Sequence, residues 1–305
     1  MIVYRELSSL VHDLGFPAKT LYGVSNAVSK HYRRVQIPKG NGEFRQLCVP
    51  DNLLKTIQRR INEVLLPLEP ISPYAMAYRF GGSTKNNAIP HVRKPVVLKL
   101  DIQHFFDNII YAVVKERAFP AERYSEQNRI LLTILCTHDN ALPQGAPTSP
   151  AISNIIMRDF DFAVGLWCNR RQISYTRYCD DMTFSGDFDP APVIEFVKTE
   201  LHKLGLFLNK KKTVIVRNGQ RQTVTGIVVN EKACVPKEYK RKIRQEMHYC
   251  MKYRIESHMK RSGVSKTADI YSRSLMARIN YVLSVEPQNE EMIGYRTWLQ
   301  MILQV

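Results

Sequence analysis

Residues 174–185 are the stretch that most constrains how this chain can fold. Apolar or aromatic side chains alternate with polar ones on both sides of a short centre, which predicts two strands of a hairpin. Asp180 and Asp181 lie at that centre, where a turn exposes side chains. Adjacent carboxylates repel each other, so a nearby cation is usually needed to keep both ionised. Taken alone, the stretch is also consistent with a solvated acidic hairpin tip.

A third acid, Asp101, favours the cation interpretation. It directly follows the apolar segment Val96–Leu100, which predicts a buried strand. Three carboxylates at the ends of neighbouring strands can hold two Mg²⁺ ions, and two such ions support in-line phosphoryl transfer. The sequence therefore predicts a two-magnesium site formed by Asp101, Asp180 and Asp181.

Three motifs resemble those of reverse transcriptases. Tyr178-Cys-Asp-Asp181 resembles their Y-x-D-D box, and Leu98–Phe106 resembles the first metal-binding motif of the same palm. Leu142–Pro150, followed by Asn154, resembles their Q-G-x-x-x-S-P motif. The three motifs occur in the order and at the spacing of that family.

Two further segments resemble signatures of the retron branch of the same family. Asn87-Ala-Ile-Pro-His91 matches an N-A-x-x-H signature, and Val224-Thr-Gly226 matches a V-T-G triplet. The resemblance implies RNA contact at Asn87 and His91, and a grip on the primer end by Val224, Thr225 and Gly226. From the residues alone, polar loop side chains that bond local backbone remain an alternative. Apart from the resemblance, Arg221–Asn230 is predicted to be a strand that contains Gly226, or a hairpin with a bulge at Gly226.

The resemblance implies an α+β right-hand polymerase fold, with fingers and palm around an antiparallel sheet and a helical thumb. Residues 1–235 would hold an N-terminal extension, the fingers and the palm, and residues 236–305 the thumb. Apolar faces predict helices after residue 236 and around residues 271–282, separated by a basic loop at about 255–267, with a third helix ending near residue 305. Three basic residues of this region, Lys240, Arg241 and Arg244, are predicted to contact nucleic-acid phosphates.

The same resemblance implies a nucleotide pocket. Lys39 and Arg45 flank a predicted hairpin turn and would contact the triphosphate, although a solvated basic hairpin fits them as well. Phe106 would be the aromatic gate that excludes a 2′-hydroxyl, unless it belongs to the core. Gln144 would line the pocket.

One lysine is implied as a general acid. Lys212 would protonate the departing pyrophosphate, although Lys210 and Lys211 are equally basic neighbours and the choice among the three stays open. The consequence of Cys179, a cysteine inside the Y-x-D-D box, also stays open.

The formal net charge of +16 favours a polyanionic partner, most often nucleic acid. No apolar run is long enough to span a membrane, and the N-terminus lacks a secretory pattern, so no membrane association and a cytoplasmic location are expected. Six cysteines occur without a C-x-x-C pair, which indicates reduced thiols and no zinc site.

Together these features predict RNA-directed DNA synthesis from dNTPs. The retron resemblance implies a dedicated structured noncoding RNA as template and primer, synthesis from the 2′-hydroxyl of a guanosine, and a branched RNA–DNA product (msDNA). It also implies a role in antiphage defence with a separate effector protein. Because the chain ends at the thumb, RNase H activity is expected from the host. The alternatives are a group II intron-like enzyme and a non-catalytic RNA-binding scaffold that restrains an effector.

Overall fold

The computed structural model describes residues 2–38, 42 and 44–303, which form helices and antiparallel strand pairs, so the predicted α+β class is confirmed. The α-helices are α1 (Leu7–Leu14), α2 (Ala18–Asn26), α3 (Asn52–Val64), α4 (Thr84–Ala88), α5 (Tyr111–Ala118), α6 (Glu126–Cys136), α7 (Ser149–Ile156), α8 (Arg158–Asn169), α9 (Pro190–His202), α10 (Lys237–Tyr253), α11 (Ile255–Arg261), α12 (Ala268–Val285) and α13 (Glu290–Leu303). The strands are β1 (Tyr32–Pro38), β2 (Phe44–Pro50), β3 (Val96–Asp101), β4 (Ser174–Tyr178), β5 (Asp181–Gly186), β6 (Val214–Arg217), β7 (Thr223–Val224) and β8 (Ile227–Val228).

The chain folds into two compact units, each built from two separate segments. The first unit comprises Met1–Gly82 and Leu98–Ile215, and the second comprises Ser83–Val97 and Val216–Val305. These units do not follow a cut at residue 235, because a short segment before β3 packs with the C-terminal helices. The division into residues 1–235 and 236–305 stays a prediction about functional domains.

The central sheet has the strand order β4–β5–β3–β6. The predicted hairpin is present: β4 and β5 pair antiparallel, with Tyr178 opposite Asp181. Tyr175 and Phe184 are paired across the two strands, and their rings stack with centroids 4.9 Å apart. This cross-strand contact fixes the register of the hairpin and therefore the height at which its two acids leave the sheet.

The helices of the first unit bury one apolar face each. In α3, the carboxylate of Asp51 accepts a hydrogen bond from the backbone N–H of Leu54 at 2.9 Å, which caps the helix N-terminus. Leu54, Ile57 and Ile61 then recur at helical spacing and are fully buried in the core. That same core receives the buried side chains of β3 and β5, so the strands that carry the acids are packed on a continuous apolar layer.

The basic hairpin predicted before residue 50 is also present. Strands β1 and β2 pair antiparallel over their full length, with Ile37 opposite Arg45. Lys39, the other predicted phosphate ligand of this hairpin, lies outside the described residues.

The second unit has its own apolar core, formed by α10 to α13 with the β7–β8 hairpin and α4. The predicted inner faces are confirmed: Ile243, Met247 and Cys250 are buried on α10, and Leu275 and Ile279 are buried on α12. Spacings of three and four residues bring these side chains to one side of each helix.

Two predictions about the second unit were wrong. The segment 255–267, expected to be a basic loop, contains α11, whose buried Ile255 and Met259 supply the apolar face that the many charges obscured. For residues 221–230 the hairpin alternative is confirmed, but the single strand and the bulge at Gly226 are wrong. Thr225 and Gly226 make a two-residue turn between β7 and β8, and both have positive φ angles, 45° and 82°.

Within the described part of the chain, none of the helices combines the length and apolar character required to cross a bilayer.

Candidate active site at the strand ends

The acidic pair lies where the sequence predicted it, at the tight connection between β4 and β5. Cys179 and Asp180 form the two-residue turn, and Asp181 is the first residue of β5. Cys179 has a φ of 62°, in the left-handed region that is uncommon for a residue with a side chain. The turn therefore projects two carboxylates from neighbouring positions at one end of the sheet.

Asp101 is brought to the same end of the sheet by backbone hydrogen bonds. It ends β3, the strand next to β5. The N–H of Ile102 donates to the carbonyl of Asp180 at 3.1 Å, and the carbonyl of Asp101 accepts from the N–H of Asn209 at 2.8 Å. Folding thus brings Asp101 to the end of the sheet that carries Asp180 and Asp181, and their joint role in metal binding stays a prediction.

Lys212 reaches the same point from the segment after α9. Its Nζ donates to Oδ2 of Asp101 at 2.7 Å, and the Asp101 carboxylate is almost fully buried. The hydrogen bond to Asp101 raises the pKa of Lys212, so this ammonium stays charged at neutral pH. Of the three consecutive lysines, Lys212 is the one for which the structure records an ion pair with an acid of the predicted triad.

The pKa of Asp181 responds to the other two acids. Its pKa is raised to about 6, first by the surrounding protein that displaces water, then by the negative charges of Asp180 and Asp101. The residue nevertheless keeps an exposed surface, so an ion could still reach its oxygens. A carboxylate whose pKa is raised by neighbouring carboxylates lies in a site with excess negative charge, which a cation would relieve.

A second lysine, Lys99, was missed by the sequence reasoning. It lies two residues before Asp101 on β3, so both side chains point to the same face of the strand. Burial lowers its pKa while the charge of Asp181 acts in the opposite direction. The period of two along the strand was the available signal, but an isolated lysine in an apolar strand did not by itself indicate a site.

The donor set fits divalent cations in its chemistry, because carboxylate oxygens are the ligands that Mg²⁺ prefers. Among the residues described, however, no three His, Cys, Asp or Glu side chains are grouped closely enough to form a finished metal site. The ion pair between Lys212 and Asp101 occupies one of the carboxylate oxygens that an ion would need. Binding of an ion by all three acids therefore requires these side chains to rearrange.

Two of the predicted nucleotide-binding residues, Arg45 and Gln144, lie on segments of the first unit that are bonded to each other. The carbonyl of Gln144 accepts a hydrogen bond from the N–H of Cys48 at 2.8 Å, which ties the Gln144 loop to β2, the strand that carries exposed Arg45. Gly145 makes this approach possible: its φ is 121°, and a Cβ there would lie 3.0 Å from the carbonyl oxygen of Cys48.

Of the two adjacent phenylalanines, Phe105 belongs to the core and is 3% exposed. Phe106 is only partly buried, with its ring centroid 5.3 Å from that of Phe105. This difference is compatible with Phe106 as the gate candidate, and its role stays a prediction.

The two retron-associated segments of the second unit contact each other through Asn87 and Thr225. The side-chain N–H₂ of Asn87 donates to Oγ1 of Thr225 at 3.4 Å, and that hydroxyl donates to the carbonyl of Thr84 at 3.2 Å. This joins α4 to the β7–β8 turn.

Three of these residues are buried, contrary to an exposed RNA-contacting loop. Asn87, His91 and Val224 are at most 1% exposed, and burial lowers the pKa of His91 to about 3. Because they are buried, a direct contact with RNA is closed to these side chains in this conformation. Of the three, Asn87 is bonded to the Thr225–Gly226 turn, in which Gly226 is exposed.

The predicted basic residues of α10 differ in how they are paired. Lys240 donates to both oxygens of Glu286 at 2.9 Å, and Arg244 donates to Glu291 at 2.7 Å, whereas Arg241 is exposed. Together with Lys237 and Glu238, the three basic residues line a cleft of about 440 Å³.

The acids at the strand ends and the lysine bonded to Asp101 are the side chains expected at a polymerase-type site. Residues 37–250 match the model of the family described as reverse transcriptase (RNA-dependent DNA polymerase). Because that match covers more than half of the 305-residue chain, the protein belongs to the reverse transcriptase family.

Curated relatives narrow the membership to the retron reverse transcriptases, as the motifs predicted. The Retron Ec83 reverse transcriptase of Escherichia coli is 34% identical, over 70% of this chain and 73% of the relative. The Retron Ec86 reverse transcriptase of Escherichia coli is 29% identical, over 84% and 81% of the two chains. The Retron Mx65 reverse transcriptase of Myxococcus xanthus is 30% identical over 88% of this chain, but the match spans only 64% of that relative's length.

Proposed function

We propose that this protein is an RNA-directed DNA polymerase that joins deoxynucleotides along an RNA template. The observation that carries the proposal is the alignment of Asp101 with Asp180 and Asp181 at one end of the sheet, with Lys212 bonded to Asp101. Membership of a family of RNA-dependent DNA polymerases supports the same reaction.

Asp101, Asp180 and Asp181 would hold two Mg²⁺ ions, which when bound would lower the pKa of the primer hydroxyl and neutralise charge on the triphosphate. The ammonium of Lys212, which the hydrogen bond to Asp101 keeps charged, would donate a proton to the departing pyrophosphate.

The remaining residues of the first unit would position the substrates. Lys39 and Arg45 would bind the triphosphate, since an ammonium and a guanidinium both suit phosphate oxygens. Phe106 would press against the sugar and exclude a 2′-hydroxyl. Gln144, on a loop bonded to β2, would help to orient the incoming nucleotide.

The retron relatives support a finer proposal about the template. The enzyme would copy a dedicated structured noncoding RNA that also supplies the priming 2′-hydroxyl, and would release msDNA. It would act in cytoplasmic antiphage defence with a separate effector, and host RNase H would remove the copied RNA. The exposed turn at Thr225–Gly226 and exposed Arg241 are the accessible candidates for contact with this nucleic acid.

Primer extension on an RNA template tests the reaction. Asp181→Asn should lower the rate of dNTP incorporation by at least about 100-fold, since it removes a ligand charge on which both ions depend. Asp187→Asn is the matched control, because Asp187 is exposed just beyond the other end of β5 and should leave the rate unchanged. Equal rates for wild type and Asp181→Asn would refute the proposed site, and a wild type that binds RNA without synthesis would favour the scaffold.

Sequencing the nucleic acid that copurifies with the protein tests the finer proposal. One structured RNA joined to DNA through a 2′-linkage is the expected finding. Linear transcripts alone, with no 2′-linked DNA, would overturn the retron-type priming while leaving the polymerase activity in place.

A further inference from the structure

Beneath the acidic turn lies a fully buried ion pair to which the sequence motifs assign no role. Arg177 on β4 and Asp161 on α8 are both 0% exposed. Arg177 Nε donates to Asp161 Oδ1 at 2.8 Å, and Nη2 donates to Asp161 Oδ2 at 2.7 Å. This two-pronged geometry fixes the plane of the guanidinium.

The third nitrogen of the same guanidinium points toward the turn. Arg177 Nη1 donates to the carbonyl oxygen of Cys179 at 3.0 Å and to Oδ1 of Asn154 at 3.2 Å. The Cys179 carbonyl belongs to the peptide bond whose N–H is that of Asp180. Arg177 therefore holds the one peptide through which the chain enters the acidic pair.

Two helices hold the arginine in turn. Asn154 on α7 donates its side-chain N–H₂ to the carbonyl of Ala77 at 2.9 Å, so its oxygen is left facing Arg177. Asp161 also accepts a hydrogen bond from the hydroxyl of Tyr175 at 2.8 Å. The network thus connects α7, α8 and β4 to the turn within the first unit.

The turn needs such support. Cys179 has a left-handed φ of 62°, a strained conformation that persists only where surrounding contacts determine it. The Cys179 thiol adds no charge, because burial raises its pKa to about 12. A buried ion pair, in contrast, is a weak source of stability, since apolar residues of similar volume often serve as well. The desolvation cost of the Arg177–Asp161 pair is more readily explained by the geometry that the pair imposes on the turn.

We propose that Arg177, held by Asp161 and Asn154, is a positioning residue for DNA synthesis. By fixing the Cys179–Asp180 peptide it sets the direction in which Asp180 and Asp181 leave the turn. The inference rests on the proposed polymerase function and extends it to residues that touch neither substrate nor ion.

The test replaces the ion pair with apolar residues so that no buried charge is left alone. The double variant Arg177→Met with Asp161→Leu is compared with Arg123→Met with Glu69→Leu. The second pair is a matched control: it is also largely buried in the first unit, with Arg123 Nε 2.6 Å from Glu69 Oε1, and the other hydrogen bonds recorded for Arg123 go to the carbonyls of Ile2 and Leu68 instead of the turn. Thermal unfolding, kcat and KM for dNTP are measured for both and for wild type.

We expect both double variants to fold, and the Arg177/Asp161 variant to lose at least about tenfold in kcat while KM for dNTP changes by less than about threefold. A misdirected carboxylate affects the transition state more than substrate binding. The control should keep wild-type kcat. Arg177→Lys, which retains a charge for Asp161 but lacks the fork needed to reach Cys179 as well, should be folded and have an intermediate kcat.

Wild-type kcat in either folded Arg177 variant would overturn the inference. Failure of both Arg177 variants to fold, while the control folds, would also overturn it by assigning the network to stability. An inactive wild type would refute the proposed function itself, which this design reports separately.

Discussion

The acidic site of the first unit and the basic face of α10 in the second unit use charge in opposite ways. The acids lie at strand ends, where backbone hydrogen bonds of a sheet and a strained turn fix them, and burial and then the charges of Asp180 and Asp101 raise the pKa of Asp181. The basic residues lie along an exposed helix face, and two of the three are paired within the unit. Charges that must act at a point are built into a rigid backbone, whereas charges that act on a polyanion can be spread over a surface.

The substitution Asp101→Asn tests most directly whether the acids of the first unit act together at one point. It removes the buried charge at the end of β3 and should lower primer extension by at least about 100-fold, with little change in the affinity for RNA. Asp107→Asn is the control, because Asp107 is exposed a few residues later and should have no effect. Substantial synthesis by Asp101→Asn would mean that the acids do not act together.

A smaller loss is expected for Lys212→Met. Removing a general acid should lower kcat by about 10- to 100-fold, and Lys211→Met should leave it unchanged, because the described contact with Asp101 is made by Lys212. Single-turnover incorporation rates with each dNTP would measure this. The opposite ranking of the two lysines would reassign the proton donor to Lys211.

The second unit offers a further test of the comparison, through the pH dependence of the free energy of unfolding. The folded pKa of His91, about 3, lies below its usual 6.5 because of burial and then Lys94, so the folded state disfavours the protonated ring. Neutral His91 therefore makes its full contribution to the free energy of unfolding above pH 6.5. Between pH 6.5 and about pH 3, that free energy should fall by about 1.4 kcal/mol for each pH unit.

Urea unfolding at pH 7.5 and pH 5 would measure this effect. The loss should be smaller in His91→Gln and unaltered in His248→Gln, whose residue is exposed in the same unit. An identical loss in wild type and His91→Gln would assign the pH dependence to other groups.

The smallest effect is expected on the basic face. Arg241→Gln should reduce the slope of log affinity for nucleic acid against log salt by roughly 0.9, the share of one phosphate contact. Lys240→Gln should leave the slope nearly unchanged, because its ammonium is engaged with Glu286. A flat salt response in wild type would mean that this face does not contact phosphates.

The sequence predicted the features that depend on local pattern. Alternation of apolar and polar residues predicted the β4–β5 hairpin, and helical spacing predicted the buried faces of α10 and α12. The order and spacing of the motifs predicted that Asp101 lies near Asp180 and Asp181. It did not give the burial of Asn87 and His91, because polar residues near glycines are typical of loops, and only tertiary packing covers them.

The network around Arg177 was missed for a related reason. An arginine in a strand is usually exposed, and its partner Asp161 is distant in sequence on a separate helix, so no local pattern joins them. The helix α11 was obscured by its own charges. Contacts between remote elements are what a single sequence leaves undetermined.

The bond between Gln144 and Cys48 has a mechanical consequence. Since the carbonyl of Gln144 is committed to the backbone of β2, the basic hairpin cannot shift without carrying the loop along or giving up that bond. Because a Cβ at Gly145 would lie only 3.0 Å from the carbonyl oxygen of Cys48, the two backbones are in close contact, and a displacement of β2 would move the loop that carries Gln144.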